Sequence, residues 1–288
     1  MEILAYTFMQ RALIASVMIG TVCAIIGTYV VLRGLSFIGA GIAHASFGGV
    51  ALGFLLGVNP FVSAILFCLF TAWGIGWTSE RGKIREDTAI GIFFASTMAL
   101  GVFFVGMMKV YNLDLFGYLF GNVLAVTKSD LVLSVSLGAL VLLMVFLFFK
   151  ELLFVTFDQE MAQVTGVPAR SVYYLLLGLI AVTIVISIKV VGIILVSALL
   201  VIPPASAYQL TEDFGKMMLL SVIIGVASSV AGLFFSYWLD VASGATIVLT
   251  ATTIFFVASL FSPRRRYLRR RQRELLKEVI GSESEAGR

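Results

Sequence analysis

Residues 88–108 read TAIGIFFASTMALGVFFVGMM and contain no charged side chain. As an α-helix this stretch would rise about 30 Å, which is the thickness of the hydrocarbon core of a membrane. Similar runs of roughly 17 to 23 residues recur between short polar or Gly/Pro breaks. The sequence therefore predicts an all-α polytopic membrane protein with about nine transmembrane helices. The runs are 12–32, 36–56, 61–77, 88–108, 131–149, 172–188, 190–208, 217–239 and 243–261.

The composition agrees with this reading. Of the 288 residues, 60% are apolar and 12% are charged, and the mean hydropathy is +1.06. Soluble domains have about 45–50% apolar and about 25% charged residues, so a soluble domain is excluded. We assign residues 1–262 to one transmembrane domain and residues 263–288 to a basic C-terminal tail.

Two parts of the topology stay open. The sixth and seventh runs are separated by Lys189 alone, and one tilted helix with a re-entrant segment would occupy the same residues, so eight or ten spans are the alternatives. Residues 115–126 are too short to span, and we expect them at the outer face. Glycines within the runs predict helices that pack closely through small residues. They are Gly20, Gly27, Gly39, Gly41, Gly48, Gly49, Gly53, Gly91, Gly101 and Gly106.

Positive charge predicts the orientation. Eight of the 20 Lys and Arg residues lie between Arg264 and Lys277, and others cluster at 81–85 and 150–170. Because cytoplasmic segments of membrane proteins are enriched in Lys and Arg, we expect all three segments to be cytoplasmic and the N-terminus to be outside. Such a tail is typical of a segment that lies against anionic membrane lipid, and we expect no nucleic-acid partner.

Motifs of enzymatic chemistry are missing from the sequence. It contains no Gly-x-x-x-x-Gly-Lys-Ser/Thr phosphate loop, no Cys/His cluster, no His-Glu-x-x-His and no Gly-x-Ser-x-Gly. The chain therefore has no P-loop for a nucleotide. A many-helix protein without catalytic groups is most simply a transporter, and we expect no enzymatic activity and no cofactor bound by this chain.

The longest polar interruption, residues 158–170, reads DQEMAQVTGVPAR. Asp158 and Glu160 stand at the start of helix-forming residues. Gly166 stands where a helix would end, and Pro168 follows it. This pattern predicts a short amphipathic helix in the cytoplasmic loop 156–170, which would be a docking element. A plain connector is the alternative.

Other short segments accompany this loop in chain order. They are VLRGLSFIG at 31–39, HA at 44–45, GVALG at 49–53, AIGIFF at 89–94, YLFGNVLAV at 118–126, VGIILVSALLVIP at 191–203 and SGATIVL at 243–249. Together with Asp-x-Glu-x-Ala-x-x-x-Gly-x-Pro at 158–168, they resemble the membrane permeases of zinc/manganese/iron-type ABC importers. The resemblance implies a vitamin-B12-importer-like (type II) ABC importer permease bundle that works as a homodimer.

The resemblance also implies partners. Two cytoplasmic ABC ATPase subunits, which hold ATP and Mg, would dock on the coupling helix through Asp158, Gln159, Glu160, Ala162, Gly166 and Pro168. An extracellular or periplasmic solute-binding protein would deliver the metal ion to the permease in a prokaryotic cytoplasmic (inner) membrane. The implied function is import of a divalent transition-metal ion by alternating access, with zinc or manganese favoured over iron.

His44 is the first candidate on the substrate path. It lies eight residues into its apolar run, and an ionisable side chain at that depth marks a functional site. The family has an aspartate four residues before the matching histidine, where this chain has Ala40, and commonly a serine at the position of Ala43. We therefore expect His44 to form only a weak metal site, with Asp114 and Asp240 attracting cations at the outer mouth. A histidine hydrogen-bonded to a neighbouring helix and solvated loop acids are the alternatives.

Pro203 and Pro204 lie late in the seventh run. We expect them to break the helix and free backbone carbonyls, which would place them along the pathway or at a gate. A simple kink is the alternative.

Three functions stay open from the sequence. The first is ATP-driven import of a metal ion. The second is the same assembly carrying a metal chelate or another small solute, which the alanine at position 40 favours. The third is an ATP-independent channel or secondary carrier, in which 158–168 is a connector.

Overall fold

The computed structural model describes residues 6–108, 121 and 127–262, which form eleven α-helices and no strand within these ranges. The helices are α1 (Thr7–Leu32), α2 (Ile38–Leu56), α3 (Pro60–Gly82), α4 (Glu86–Met107), α5 (Lys128–Leu147), α6 (Phe149–Phe157), α7 (Gln159–Val164), α8 (Ala169–Val191), α9 (Ile193–Leu210), α10 (Phe214–Leu239) and α11 (Ser243–Leu260).

Each of the nine predicted runs lies on a helix, which confirms the all-α polytopic fold. Eight of the described helices are long and apolar enough to cross a membrane. The seventh run coincides with α9, whose apolar stretch Val196–Leu210 is shorter. Residues 115–120 and 122–126, expected at the outer face, lie outside the described residues, and so does the tail 263–288.

The break between α8 and α9 is not where the sequence placed it. α8 continues past Lys189 to Val191, and the helix ends at Gly192, whose φ is 89° and ψ is 157°. Glycine adopts this left-handed region of φ without steric cost, whereas one lysine does not stop a helix. The prediction that Lys189 separates two runs is therefore wrong.

α1 is the central helix of the bundle. It packs against α5, α8, α9 and α10, while α2 packs against α3, α4 and α9. Large apolar side chains of α1, such as Ile19 and Ile26, are almost fully buried. By contrast α4 and α5 keep many apolar side chains exposed, among them Phe103 and Phe146. Lipid or another protein would have to cover those faces.

Glycines bring several helix pairs into backbone contact, as predicted. A Cβ atom added at Gly27 of α1 would lie 1.9 Å from the carbonyl oxygen of Leu200 on α9, and one at Gly232 of α10 would lie 2.4 Å from Cα of Ile247 on α11. The prediction fails at Gly91 and Gly106, where an added Cβ would meet nothing within 4 Å.

The predicted helix break at Pro203 and Pro204 is wrong. α9 continues through both residues to Leu210, and both are buried. Pro204 has no N–H to donate to the carbonyl of Leu200, four residues earlier. That carbonyl lies against the Cα of Gly27, which carries no side chain. The packing of α1 on α9 therefore leaves room for the carbonyl that Pro204 cannot bond. A role of the prolines in a gate stays a prediction.

Gly27→Ala should destabilise the protein, because the new methyl group would overlap the Leu200 carbonyl and force α1 and α9 apart. Overpacking of this kind costs about 1–3 kcal/mol. Thermal unfolding of the detergent-purified protein measures the effect. Gly91→Ala is the matched control, since that site has open space. Equal melting temperatures for the two variants would contradict the close contact.

Candidate functional site

The short helix predicted in the 156–170 loop is present as α7. Its N-cap is Asp158, whose Oδ1 accepts a hydrogen bond from the Met161 N–H at 2.9 Å. At the other end Gly166 adopts a φ of 87°. Its N–H donates to the Gln163 carbonyl at 3.1 Å, and the Val167 N–H donates to the Ala162 carbonyl at 3.0 Å. Both ends are therefore capped by local sequence, and the glycine ends the helix as expected.

The residues predicted to contact an ATPase do not all face outwards. Asp158, Glu160, Gly166 and Pro168 are exposed, but Ala162 is fully buried against its own chain. Ala162 therefore packs on the bundle, and its contact with an ATPase stays a prediction.

Three of the exposed side chains in this segment are apolar. Phe157 is 64% exposed, Met161 53% and Val164 82%, and these side chains follow each other at spacings of four and three residues. We call these three residues the docking face. Phe157 ends α6, while Met161 and Val164 lie three residues apart on α7. Which of these side chains is exposed depends on how α7 packs on the bundle, so the sequence alone did not show it. Exposed apolar groups on a polar loop are typical of a surface that another protein covers.

The side chain of Arg33, the residue after α1, binds the start of this loop. One guanidinium nitrogen donates to the Val155 carbonyl at 3.0 Å, and another donates to Oε1 of Gln159 at 2.5 Å. The guanidinium also lies 4.3 Å from the centre of the Tyr173 ring on α8. Gln159, predicted to contact an ATPase, is thus half-buried and bonded within the chain. These partners lie more than a hundred positions apart, so the sequence alone did not pair them.

Two neighbouring tyrosines of α8 bind different acids. The Tyr173 hydroxyl donates to Oε1 of Glu86, in the first turn of α4, at 2.8 Å. The Tyr174 hydroxyl donates to Oε2 of Glu80 on α3 at 3.1 Å, and Glu80 also pairs with Arg170 at 3.1 Å. The ends of α1, α3, α4 and α8 therefore meet at the end of the bundle that carries α7.

His44 is half-buried on α2, about 9 Å along the axis from the first residue of the helix. Its Nδ1 lies 2.9 Å from the carbonyl oxygen of Ala40, and its ring lies 4.7 Å from the Phe94 ring on α4. Because a carbonyl oxygen only accepts hydrogen bonds, Nδ1 is the donor in this contact. Metal-binding histidines commonly donate their other N–H to a carbonyl in this way.

The other predicted path residues do not gather around His44. Asp114 lies outside the described residues. Asp240 is exposed and ends α10 with a φ of 52°, a left-handed conformation that aspartate tolerates. Across the described ranges, no group of three or more His, Cys, Asp or Glu side chains could hold a metal ion. Weak, transient binding of a metal ion by His44 is compatible with this geometry. A tight site of at least four ligands is not found among the described residues around it.

These features define a polytopic helical membrane protein with a short capped helix, α7, at one end. The ABC 3 transport family matches residues 5–262, and the chain belongs to this family. It is 42% identical to the manganese transport system membrane protein MntC of Halalkalibacterium halodurans over 269 residues, or 93% of this chain and 92% of that relative. It is also 42% identical to the manganese import system permease protein ScaB of Streptococcus gordonii over 266 residues, or 92% and 95%.

A solved structure shares the fold. A chain of PsaBC from Streptococcus pneumoniae in complex with Fab is 40% identical, with a TM-score of 0.83 over 92% of this chain and 96% of that chain. The family and fold implied by the sequence motifs are confirmed.

Asp158→Ala should loosen α7, because it removes the acceptor that caps the Met161 N–H. Loss of an N-cap costs about 1 kcal/mol, which corresponds to roughly fivefold faster opening. Hydrogen–deuterium exchange of the amides at 159–165 measures the change. Asp158→Asn keeps an acceptor oxygen and should exchange like the wild type. Similar exchange in the Ala and Asn variants would refute the capping role.

Proposed function

We infer that this chain is the permease subunit of an ATP-driven importer of a divalent metal ion, with manganese as the ion. The observation that carries this inference is the 42% identity over 93% of the chain to a manganese transport system membrane protein. The docking face supports it. Because this sequence has no phosphate loop, an ATP-driven importer built on it needs a partner that hydrolyses ATP, and the docking face is an exposed apolar surface where such a partner can bind.

The working assembly contains two copies of this chain, two cytoplasmic ATPase subunits and a solute-binding protein at the outer face. The exposed apolar faces of α4 and α5 suit contact with a second copy and with lipid. The ATPases bind the docking face, and their closure on ATP moves the two permease copies between outward-open and inward-open packings. The end of the bundle that carries α7 is then cytoplasmic.

His44 serves this function as a passing ligand. With Nδ1 bonded to the Ala40 carbonyl, Nε2 is the ring nitrogen that would bind the ion, and imidazole suits borderline transition-metal ions. A single ligand holds the ion weakly, which favours release to the cytoplasm over storage in the membrane. Tight selection of the ion then belongs to the solute-binding protein.

Proteoliposomes that hold this chain, its candidate ATPase and its binding protein test the function. We expect ATP-dependent uptake of Mn²⁺ in preference to Zn²⁺ and Fe²⁺, and at least tenfold slower uptake by His44→Ala. Cys68→Ala is the control, because Cys68 is a buried potential ligand whose Sγ donates to the Ile42 carbonyl at 3.5 Å.

Three results would change the account. Active ATPase without uptake of any ion indicates a chelate or another solute. Uptake without ATP indicates a channel or a secondary carrier. Unchanged Mn²⁺ uptake by His44→Ala makes the histidine structural and leaves the metal permease in place.

Val164→Glu should weaken binding of the ATPase at least tenfold, because it puts a charge at the centre of an apolar contact, where interfaces exclude charge. The side chain is 82% exposed, so the fold should not change. Val241→Glu is the matched control, at an exposed position in the loop between α10 and α11. Titration of the ATPase onto the permease in nanodiscs measures both affinities. Equal affinities for the two variants would place the docking surface elsewhere.

A further inference from the structure

We propose that Arg33 and Tyr173 form a relay that transmits movement of the docking helix to α4, the helix that faces His44. Arg33 and Tyr173 are positioning residues, and neither touches the ion. This inference rests on the proposed import function, since a relay needs an ATPase at one end and a transported ion at the other.

The first half of the relay joins α7 to α8. The Arg33 guanidinium bonds the Val155 carbonyl at the end of α6 and the Gln159 side chain at the start of α7 while it covers the Tyr173 ring. Its Nε is buried and makes no hydrogen bond. A planar guanidinium can donate in two directions and stack at the same time, which an ammonium group cannot do. Any shift of α7 must therefore move Arg33, Tyr173 or both.

The second half joins α8 to α4. The Tyr173 ring is 2% exposed, so its position is set by packing, and its hydroxyl reaches Glu86 at 2.8 Å. α4 packs mainly on α2 and α3 and leaves much of its surface exposed. A hydrogen bond from a buried tyrosine to a carboxylate is a strong one. This hydrogen bond therefore ties the first turn of α4 to α8.

α4 carries the movement to the substrate path. Phe94 lies eight residues after Glu86, about 12 Å along the helix. Its ring lies 4.7 Å from the His44 ring. Rotation or translation of α4 at Glu86 thus changes the aromatic side chain beside the one imidazole of the chain. Side-chain contacts therefore link Gln159 to Arg33, Tyr173 and Glu86. The body of α4 then joins Glu86 to Phe94, whose ring contacts His44.

The adjacent tyrosine supplies a matched comparison. Tyr174 lies on the same turn of α8 and also donates its hydroxyl to a carboxylate, that of Glu80 on α3. Its ring stacks near Arg170, which is mostly exposed. The Tyr174 ring also lies against the Tyr173 ring, with their centroids 5.7 Å apart, but the Tyr174 hydroxyl is bonded to α3. Removing either hydroxyl is the same chemical change, but only Tyr173 belongs to the relay.

The test compares Tyr173→Phe with Tyr174→Phe in the full assembly in proteoliposomes, measuring Mn²⁺ uptake and ATP hydrolysis together. Tyr173→Phe should retain bound ATPase and ATP hydrolysis but import at least fivefold fewer ions per ATP, within the usual range for loss of coupling between sites. Glu86→Gln, made with Tyr173 in place, keeps an acceptor for the Tyr173 hydroxyl and should retain most of the coupling. Tyr174→Phe should behave like the wild type.

The relay is overturned if the number of ions imported per ATP is unchanged in Tyr173→Phe. It is also overturned if that number falls equally in Tyr174→Phe. If Tyr173→Phe does not assemble, Glu86→Ala removes the same hydrogen bond from the half-buried side of the pair and is compared with Glu80→Ala. A wild-type assembly that hydrolyses ATP without importing Mn²⁺ is a different result, because it refutes the proposed function itself and not only the relay.

Discussion

The contact between the carbonyl oxygen of Leu200 and the bare Cα of Gly27 sets the packing of α9 on α1, and the rest of the bundle is arranged around α1. No side chain separates the two backbones there, so the distance between the helices is fixed by van der Waals contact alone. Six residues beyond Gly27 the same chain reaches Arg33, which holds the docking loop. The rigid centre of the fold and its docking end are therefore connected through one helix.

That arrangement separates a rigid part from a part that can move. α1, α2 and α8 are enclosed by neighbours, while α4 is attached mainly to α2 and α3 and is tied at its first turn by the Tyr173 hydroxyl. Closely packed helices move as units, so a displacement at α7 is passed on as a shift of a whole helix. The His44 ring lies 4.7 Å from the Phe94 ring of α4, so a shift of that helix would change the surroundings of the proposed metal ligand.

Local features could be predicted from the sequence, and contacts between distant residues could not. Long apolar runs and the Asp158 and Gly166 caps are properties of neighbouring residues, so the helices and α7 were predicted. The Leu200 carbonyl that Pro204 leaves without an N–H donor lies against Gly27, which is far away in the chain and on another helix. The Arg33 to Gln159 bond spans 126 positions, and only the fold brings the two residues together. His44 was found because an ionisable residue in an apolar run is conspicuous, but its bond to Ala40 was not.

The most direct test of the account is the composition of the complex that this chain forms in the membrane. Native mass spectrometry of the permease, purified in mild detergent after co-expression with its candidate ATPase, measures that composition. We expect two copies of this chain with two ATPase subunits, and loss of the ATPase subunits alone in Val164→Glu. A chain that purifies without any ATPase would contradict the account, because the docking face would then have no partner to supply the energy for import.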